Sequence, residues 1–266
     1  MNRSFFVVNF QKEAVEILVY LKKNCSAFAI KADFEAEGTG FEELVFLSDV
    51  VAKAGLGLTL KIGGCEAVFD LKQAKLFGAQ SVMVPVVESE FALKKFYSAA
   101  SRVFGSSNFN SPKLILNVET KTCVENLEQI LRFGSKFLNS VVVGRVDLSS
   151  SLNLSRGDID SDLVFEQCKK VVGEAKKFGL LVGLGGGVSS PTHDRFLKKL
   201  EFDFFETRKV VFKNECAGKA EFNNWIRKAT EFEVLCLKFK CEFFKQLAGE
   251  DELRLKLLEQ RLSELN

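Results

Sequence analysis

The sequence has little histidine, proline or tryptophan: one histidine (His193), three prolines and one tryptophan in 266 residues. A lone histidine excludes a zinc site built on several imidazoles. No CxxC pair occurs among the seven cysteines, Cys25, Cys65, Cys123, Cys168, Cys216, Cys236 and Cys241. Their number is odd and they are scattered through apolar segments, as reduced thiols are, which speaks against a disulfide framework. No window approaches about 18 uninterrupted apolar residues, so neither a membrane span nor a membrane partner is expected. The opening MNRSFFVVNFQKE is too short in its apolar run for a signal peptide, and the expected location is the cytoplasm. Neither sign of charge dominates: Lys+Arg is 37, Asp+Glu is 35 and the net charge is +2. The basic footprint of a nucleic-acid binder is missing.

What is present is a large apolar share, 47%, with 27 phenylalanines to fill core positions. That is enough for one sizeable (β/α)8-type domain or two small ones. Short apolar, β-branched runs recur at residues 5–9, 28–34, 58–62, 81–86, 113–119, 141–147, 180–184 and 202–207. Most lack strict alternation, as buried parallel strands do. Between them, residues 11–23, 42–54, 67–77, 92–104, 124–133, 165–178 and 192–200 carry apolar residues at helical spacing. Gly55, Gly78, Gly134 and Gly179 stand where left-handed helix caps are favoured. The alternation predicts an α/β fold, a (β/α)8 TIM barrel over residues 1–215. Residues 216–266 read as a C-terminal helical extension of two helices, 220–246 and 251–265. Its stripe of Trp225, Ala229, Phe232, Leu235, Phe239 and Phe243 needs a partner surface, either its own barrel or a second copy in a homo-oligomer.

In such a barrel the C-terminal strand ends carry the site. Those ends are polar here. Asp33 and Glu35 close the second run, Lys61 the third, with Glu66 just beyond. Asn117 and Glu119 close the fifth, Arg145 and Asp147 the sixth, and Glu206 with Arg208 and Lys209 the eighth. Glu119 and Asp147, on adjacent strands, could share a hard divalent cation such as Mg2+ or Mn2+, which takes one or two carboxylates and fills its shell with water and substrate oxygens. Such a metal polarises a 2-oxo acid and stabilises an enolate. The run GLGGG, with Gly185 and Gly186, fits a backbone cradle for phosphate or carboxylate, with Arg208 beside it. Arg145 shares a strand face with Asp147 in this reading and either touches substrate or holds a carboxylate. Lys61 has three readings: an anion grip, a Schiff-base lysine, or an ion-pair partner. His193 is expected on a helix surface without a role.

Three stretches, LKIGGCEAVFDLKQAKLFGAQSVMVPVVES, LNVETKTCVENLEQI and VVVGRVDLSSSLNL, resemble the third to sixth strands of the HpcH/HpaI aldolase and citrate lyase beta-chain superfamily. The resemblance spans about residues 27–212 at the level of the fold. It implies a Mg2+- or Mn2+-dependent barrel enzyme that binds pyruvate-like or acyl-CoA-like substrates and makes or breaks carbon–carbon bonds through an enolate. Carried over by residue, it makes Glu119 and Asp147 metal ligands. It places Lys61 where many members have an arginine that grips substrate, and Asn117 near a polar lining residue. Asp33 and Glu35 match the acidic motif. The sequence departs from the aldolases in lacking their histidine, where Ala36 stands, and in having lysine at position 61, which gives up a planar two-point grip.

The resulting expectation is a metal-dependent lyase or aldolase-like enzyme acting on a 2-oxo acid or related carboxylate. Lys61, Glu35 and Glu66 are its candidate catalytic residues. Lys61, Asn117, Arg145, Gly185, Gly186 and Arg208 are its candidate substrate-binding residues. Two alternatives stand beside it: a degenerate barrel serving as a ligand-binding or assembly subunit, and phosphoenolpyruvate or phosphoryl chemistry on the same scaffold.

Overall fold

The computed structural model describes residues 3–105, 111–215 and 218–264. Cys216 and the second residue of the chain lie outside these. Eight strands close into one barrel in chain order. They are β1 (Ala27–Asp33), β2 (Gly57–Lys61), β3 (Ser81–Val84), β4 (Lys113–Val118), β5 (Leu138–Gly144), β6 (Leu181–Gly185), β7 (Phe204–Glu206) and β8 (Val210–Lys213). Helices precede and separate them: α1 (Arg3–Asn24), α2 (Phe41–Ala54), α3 (Val68–Leu76), α4 (Glu90–Phe104), α5 (Lys121–Glu125), α6 (Leu127–Gly134), α7 (Arg145–Ser151) and α8 (Asp162–Lys177). α9 (Ser190–Thr192) runs into a π-helical turn, His193–Leu197, and α10 (Lys219–Glu264) ends the chain.

The α/β barrel expected from the sequence is therefore present, but two of its staves differ. The run 5–9 is helical, not a strand. Its β-branched residues are locally strand-like, yet the apolar period continues through Ala14, Leu18 and Leu21, all fully buried, so one long helix covers more surface. The missing stave is β8, which pairs antiparallel with both β7 and β1 while the other neighbours pair in parallel. A tight turn at Arg208–Lys209, with Thr207 donating its amide to the Val210 carbonyl at 2.9 Å, folds the chain back. Without this hairpin β1 and β7 would present unpaired edges.

Residues alternate across each strand, so one set faces the helices and the other the barrel axis. Ala29, Met83, Ile115, Val142, Phe204 and Val211 form a separate apolar plug on the axis. Two residues further along the parallel strands the axial positions turn polar or small: Lys31 after Ala29, Asn117 after Ile115, Gly144 after Val142 and Glu206 after Phe204. The apolar plug thus floors a polar mouth.

Gly55, Gly78 and Gly179 hold left-handed conformations, with φ of 66°, 64° and 71°. Gly134 does not. It is the last residue of α6, and a Cβ there would lie 2.7 Å from Leu138 and 2.9 Å from Leu93, so close packing explains it.

The C-terminal extension is one continuous helix, not two, with Gly249 inside it. Its stripe folds back on its own barrel: Phe222, Trp225, Ala229, Phe232, Leu235 and Phe239 are buried and Phe243 packs against them. Trp225 stacks on Phe212 of β8 at 6.0 Å, and Phe239 on Phe46 of α2 at 4.2 Å. Residues 251–260 are exposed throughout. Among the described residues no helix is long and apolar enough to cross a membrane.

Candidate active site

Lys61, the last residue of β2, points into a cluster of acids. Its ammonium lies 3.2 Å from Glu119 Oε2 and 3.6 Å from Asp33 Oδ2. Glu119 follows β4 and is nearly fully buried. Its Oε2 also accepts from the Asn117 amide, and its Oε1 accepts from the Val86 N–H at 3.0 Å. Val86 takes a positive φ of 51° to present that amide, an unfavourable conformation for a β-branched residue and a mark of functional regions. Asp33 Oδ1 accepts the N–H groups of Glu35 and Ala36, both at 3.0 Å, which shapes the loop after β1.

Electrostatics ties the group together. Burial works against the charge on Lys61, but Glu119, Asp33 and Asp147 outweigh it and hold the lysine above its ordinary pKa. The Glu119 carboxyl is pushed up, first by burial and then by the nearby negative charge of Asp147, with Lys61 opposing. The Asp147 side chain makes no hydrogen bond or ion pair among the described residues. Asn117 is buried, and its Oδ1 has no hydrogen-bond partner. Gly144 leaves the room for this arrangement, since a Cβ there would lie 3.1 Å from the Glu119 side chain and 3.2 Å from Asn117 Oδ1.

Two lobes open from this cluster. One, about 450 Å³, is lined by Glu35, Gly63, Pro85, Thr120 and Ser150. The other, about 500 Å³, reaches beneath α10 past Lys31, Glu206, Arg156, Gly186 and Arg208. Asp33, Lys61, Glu119 and Asp147 border both. The Glu35 carboxylate lies over Gly63, where a Cβ would come within 2.6 Å of its oxygen.

Three expected residues stand elsewhere. Arg145 does not share a strand face with Asp147, because β5 ends at Gly144 and both lie on α7. Two residues apart on a helix point about 200° apart. Arg145 is fully buried and donates to the carbonyls of Gly185 (3.2 Å) and Gly186 (2.7 Å) and to Asp160 Oδ1 (2.5 Å), over the Phe196 ring. It clasps the glycine loop from behind. Glu66 is exposed and pairs with Lys95 at 3.0 Å, outside both lobes. His193 is buried rather than on a surface, with Nδ1 3.1 Å from Asp194 and its ring 4.6 Å from that of Phe222.

At the β7–β8 turn, Lys209 is the buried cation and Arg208 the half-exposed one, and both reach Glu37, Arg208 at 3.3 Å. Gly185 makes room for Glu206, since a Cβ would lie 2.9 Å from Oε1. Gly186 takes a φ of 81° and lines the second lobe. The buried pair of Lys31 with Glu206 was not singled out from the sequence. Counting back two residues from Asp33 would have found Lys31, but its partner on β7 is set only by barrel closure.

The carboxylate oxygens of Glu119 and Asp147 suit a hard divalent cation. Among the described residues no three acidic, histidine or cysteine side chains group closely enough to hold a metal by themselves. Two carboxylates with water and substrate oxygens would be the fitting coordination.

The model for HpcH/HpaI aldolase/citrate lyase matches residues 49–193, more than half of the chain, and the chain belongs to that family. No match was found among curated proteins. Among solved structures, an HpcH/HpaI aldolase from Desulfitobacterium hafniense DCB-2 superposes with a TM-score of 0.59 at 17% identity, covering 82% of this chain and 87% of that one. An HpcH/HpaI aldolase/citrate lyase family protein from Burkholderia cenocepacia J2315 gives 0.59 at 16% identity, covering 86% and 90%. The CitE protein of Mycobacterium tuberculosis, solved in complex with magnesium and pyruvate, gives 0.50 at 16% identity, covering 81% and 86%. At these identities the likeness establishes the shared fold.

Proposed function

We propose that this protein is a Mg2+- or Mn2+-dependent carbon–carbon lyase or aldolase-like enzyme acting on a 2-oxo acid or related carboxylate through an enolate. The observation that carries the reading is the charge balance at the mouth. One ammonium, Lys61, faces three carboxylates, Asp33, Glu119 and Asp147, which leaves an excess negative charge suited to a divalent cation. The magnesium and pyruvate in the CitE relative support the same reading.

Glu119 and Asp147 would hold the ion, which when bound would supply a Lewis acid to a substrate oxygen. Lys61, kept charged by its carboxylates, grips a substrate oxygen and adds positive charge where the enolate oxygen develops. A Schiff base is disfavoured, because a free amine is the nucleophile and these neighbours hold the proton on. Asn117 Oδ1 accepts a hydrogen bond from water or a substrate hydroxyl. The Val86 amide fixes the Glu119 carboxylate in place. Glu35, at the rim of the first lobe and free of ion pairs among the described residues, carries the proton to and from the substrate carbon. Glu66, engaged with Lys95, is not needed.

The test is deuterium exchange at the methyl group of pyruvate in D2O, followed by proton NMR with and without Mg2+. Mg2+-dependent exchange, inhibited by oxalate and lost in Asp147→Asn and Glu119→Gln, is the expected result. Absence of both exchange and metal binding in the wild-type protein would refute the proposal.

A second reading, an assembly role for the C-terminal extension, draws on the projecting end of α10, where Leu253, Leu255, Leu257 and Leu258 are exposed. Light scattering on the full chain and on a chain ending after Gly249 tests it. An unchanged mass would count against it.

A further inference from the structure

We infer that the outer face of α10 pairs with the same face of a second copy of this chain, as an antiparallel two-helix coiled coil. This deepens the assembly reading of the C-terminal extension, on which it rests, by naming the partner, the direction and the register.

α10 carries two apolar stripes. One packs on its own barrel. The other lies on the far side, because its members stand two residues after barrel-facing ones: Val234 after Phe232, Leu237 after Leu235 and Cys241 after Phe239. Two residues along a helix make a rotation of about 200°. From Val234 the outer stripe steps by three and four without a break, through Leu237, Cys241, Phe244 and Ala248 to Asp251, Leu255 and Leu258. Every one of these positions is exposed. The sequence continues the spacing to Leu262 and Leu265. An apolar seam repeating every seven residues over more than three heptads is the pattern of a coiled coil. Residues 251–260 are exposed throughout, and an unsupported helical end of that length is marginal in water.

The one acid in the seam sets the direction. In a parallel pair, Asp251 would face Asp251 of the second copy, two like charges in one apolar layer. In an antiparallel pair, Ala248 stands opposite the second copy's Asp251, and its small side chain leaves the carboxylate room to reach water. The same register sets Cys241 against Leu258 and Phe244 against Leu255, so the projecting end of each helix covers the barrel-borne stretch of the other.

The flanks select that register. On one edge it brings Lys238 beside Glu259 and Lys245 beside Glu252 of the second copy, and two-fold symmetry repeats both pairs. All four side chains are exposed, and none forms a hydrogen bond or ion pair among the described residues. Sliding by one heptad in either direction would set Glu252 against Glu252 or Lys245 against Lys245. On the other edge Lys240 is held on its own barrel by Glu43 at 3.0 Å. Where the outer stripe begins, a groove of about 480 Å³ between α1 and α10, lined by Glu13, Ile17, Val234 and Lys238, widens the seat.

Disulfide trapping tests the pairing. Under mild oxidant, Leu258→Cys is expected to give a band of twice the chain mass on a non-reducing gel, with the introduced thiol linked to Cys241 in the mapped peptides. Such a link can only join two chains, because the two positions lie about 25 Å apart on one helix. The wild-type chain should form no Cys241–Cys241 link. Cys241 should be open to a thiol reagent in dilute, dissociated protein and become protected as concentration rises. Glu252→Lys with Glu259→Lys should weaken association about tenfold or more in sedimentation equilibrium, and adding Lys238→Glu with Lys245→Glu should restore it. A wild-type chain that is monomeric at every concentration, or a mass unchanged by removal of the residues after Gly249, would overturn the assembly reading and this pairing with it. A mass that falls on that truncation, with no link from Leu258→Cys, with a Cys241–Cys241 link in the wild type, or with no loss on charge reversal, would overturn the antiparallel pairing and leave the assembly reading standing.

Discussion

Lys61 and Glu119 face each other across the barrel mouth at 3.2 Å, from strand ends that are not neighbours in the sheet. Lys61 is the only cation in direct contact with the central acids among the described residues. Replacing it by Met should lower the stability of the metal-free protein by about 3 kcal/mol, because buried carboxylates lose their counter-charge. Lysine's folded pKa is raised, so its stabilisation is fully present below the ordinary lysine value and is lost as pH rises through the folded one. The difference in Tm between wild type and Lys61→Met, measured in EDTA, should therefore hold through neutral pH and shrink only above about pH 10.

Glu119 has the same sign, but its loss begins at the ordinary glutamate value. Its folded pKa is raised, so the metal-free protein loses stability as pH climbs from the ordinary glutamate value through the folded one. Differential scanning calorimetry without metal should show that loss, and Glu119→Gln should remove it. Added Mg2+ should raise Tm in the wild type and not in the variant.

Arg145 offers a contrast, since it serves the scaffold and not the mouth. Removing it as Arg145→Met strands Asp160 and two glycine carbonyls, with an expected loss of about 3–5 kcal/mol in urea unfolding. Arg145→Lys should recover little, because one ammonium cannot serve the five acceptors that the planar fork reaches, the carbonyls of Ile159, Gly185 and Gly186 and the side chains of Asp160 and Thr192.

Two glycines with similar backbone angles should respond differently to alanine. Gly186 has φ 81°, and its Cβ would press to 2.8 Å from the backbone nitrogens of Arg145 and Val146. Gly179 has φ 71° and nothing within 4 Å. Gly179→Ala should cost about 1 kcal/mol in left-handed strain alone. Gly186→Ala adds a backbone clash that no rotamer relieves and should cost at least 2 kcal/mol, measured by urea unfolding.

Thiol reactivity should follow burial. Burial pushes the thiols of Cys123, Cys168 and Cys236 up to about 12, and that of Cys25 to about 11. A disulfide reagent at pH 8 should modify exposed Cys241 rapidly and leave buried Cys25, Cys123 and Cys168 unreacted until denaturant is added. Peptide mapping of the labelled sites would check each assignment.

Much of the scaffold was legible because its signals are local. Short apolar, β-branched runs located the parallel strands from β1 to β7, period-3.6 patterns most helices, and glycines marked real left-handed caps at Gly55, Gly78 and Gly179. Polar residues that interrupt apolar strands, Asp33, Lys61, Asn117 and Glu119, do meet at one mouth, because alternation fixes which side of a strand each faces.

The remainder depended on contacts distant in sequence. Residues 5–9 had a strand's composition, but helix α1 packs against α2 and α10, and that burial overrode the propensity. The reversed β8 follows from the need to close two free edges, which no local pattern reports. Arg145 turned from the mouth because β5 ends three residues earlier than the apolar run suggested, and a helix sends positions two apart in opposite directions. Glu66 looked like a site acid by its position after Lys61, yet Lys95 on the neighbouring helix draws it outward. The sequence by itself determined the periods, the caps and the inventory of charges. Which charges face each other, Lys61 with Glu119 or Lys31 with Glu206, was decided by barrel closure, because Coulomb pairing depends on distance in space and not along the chain.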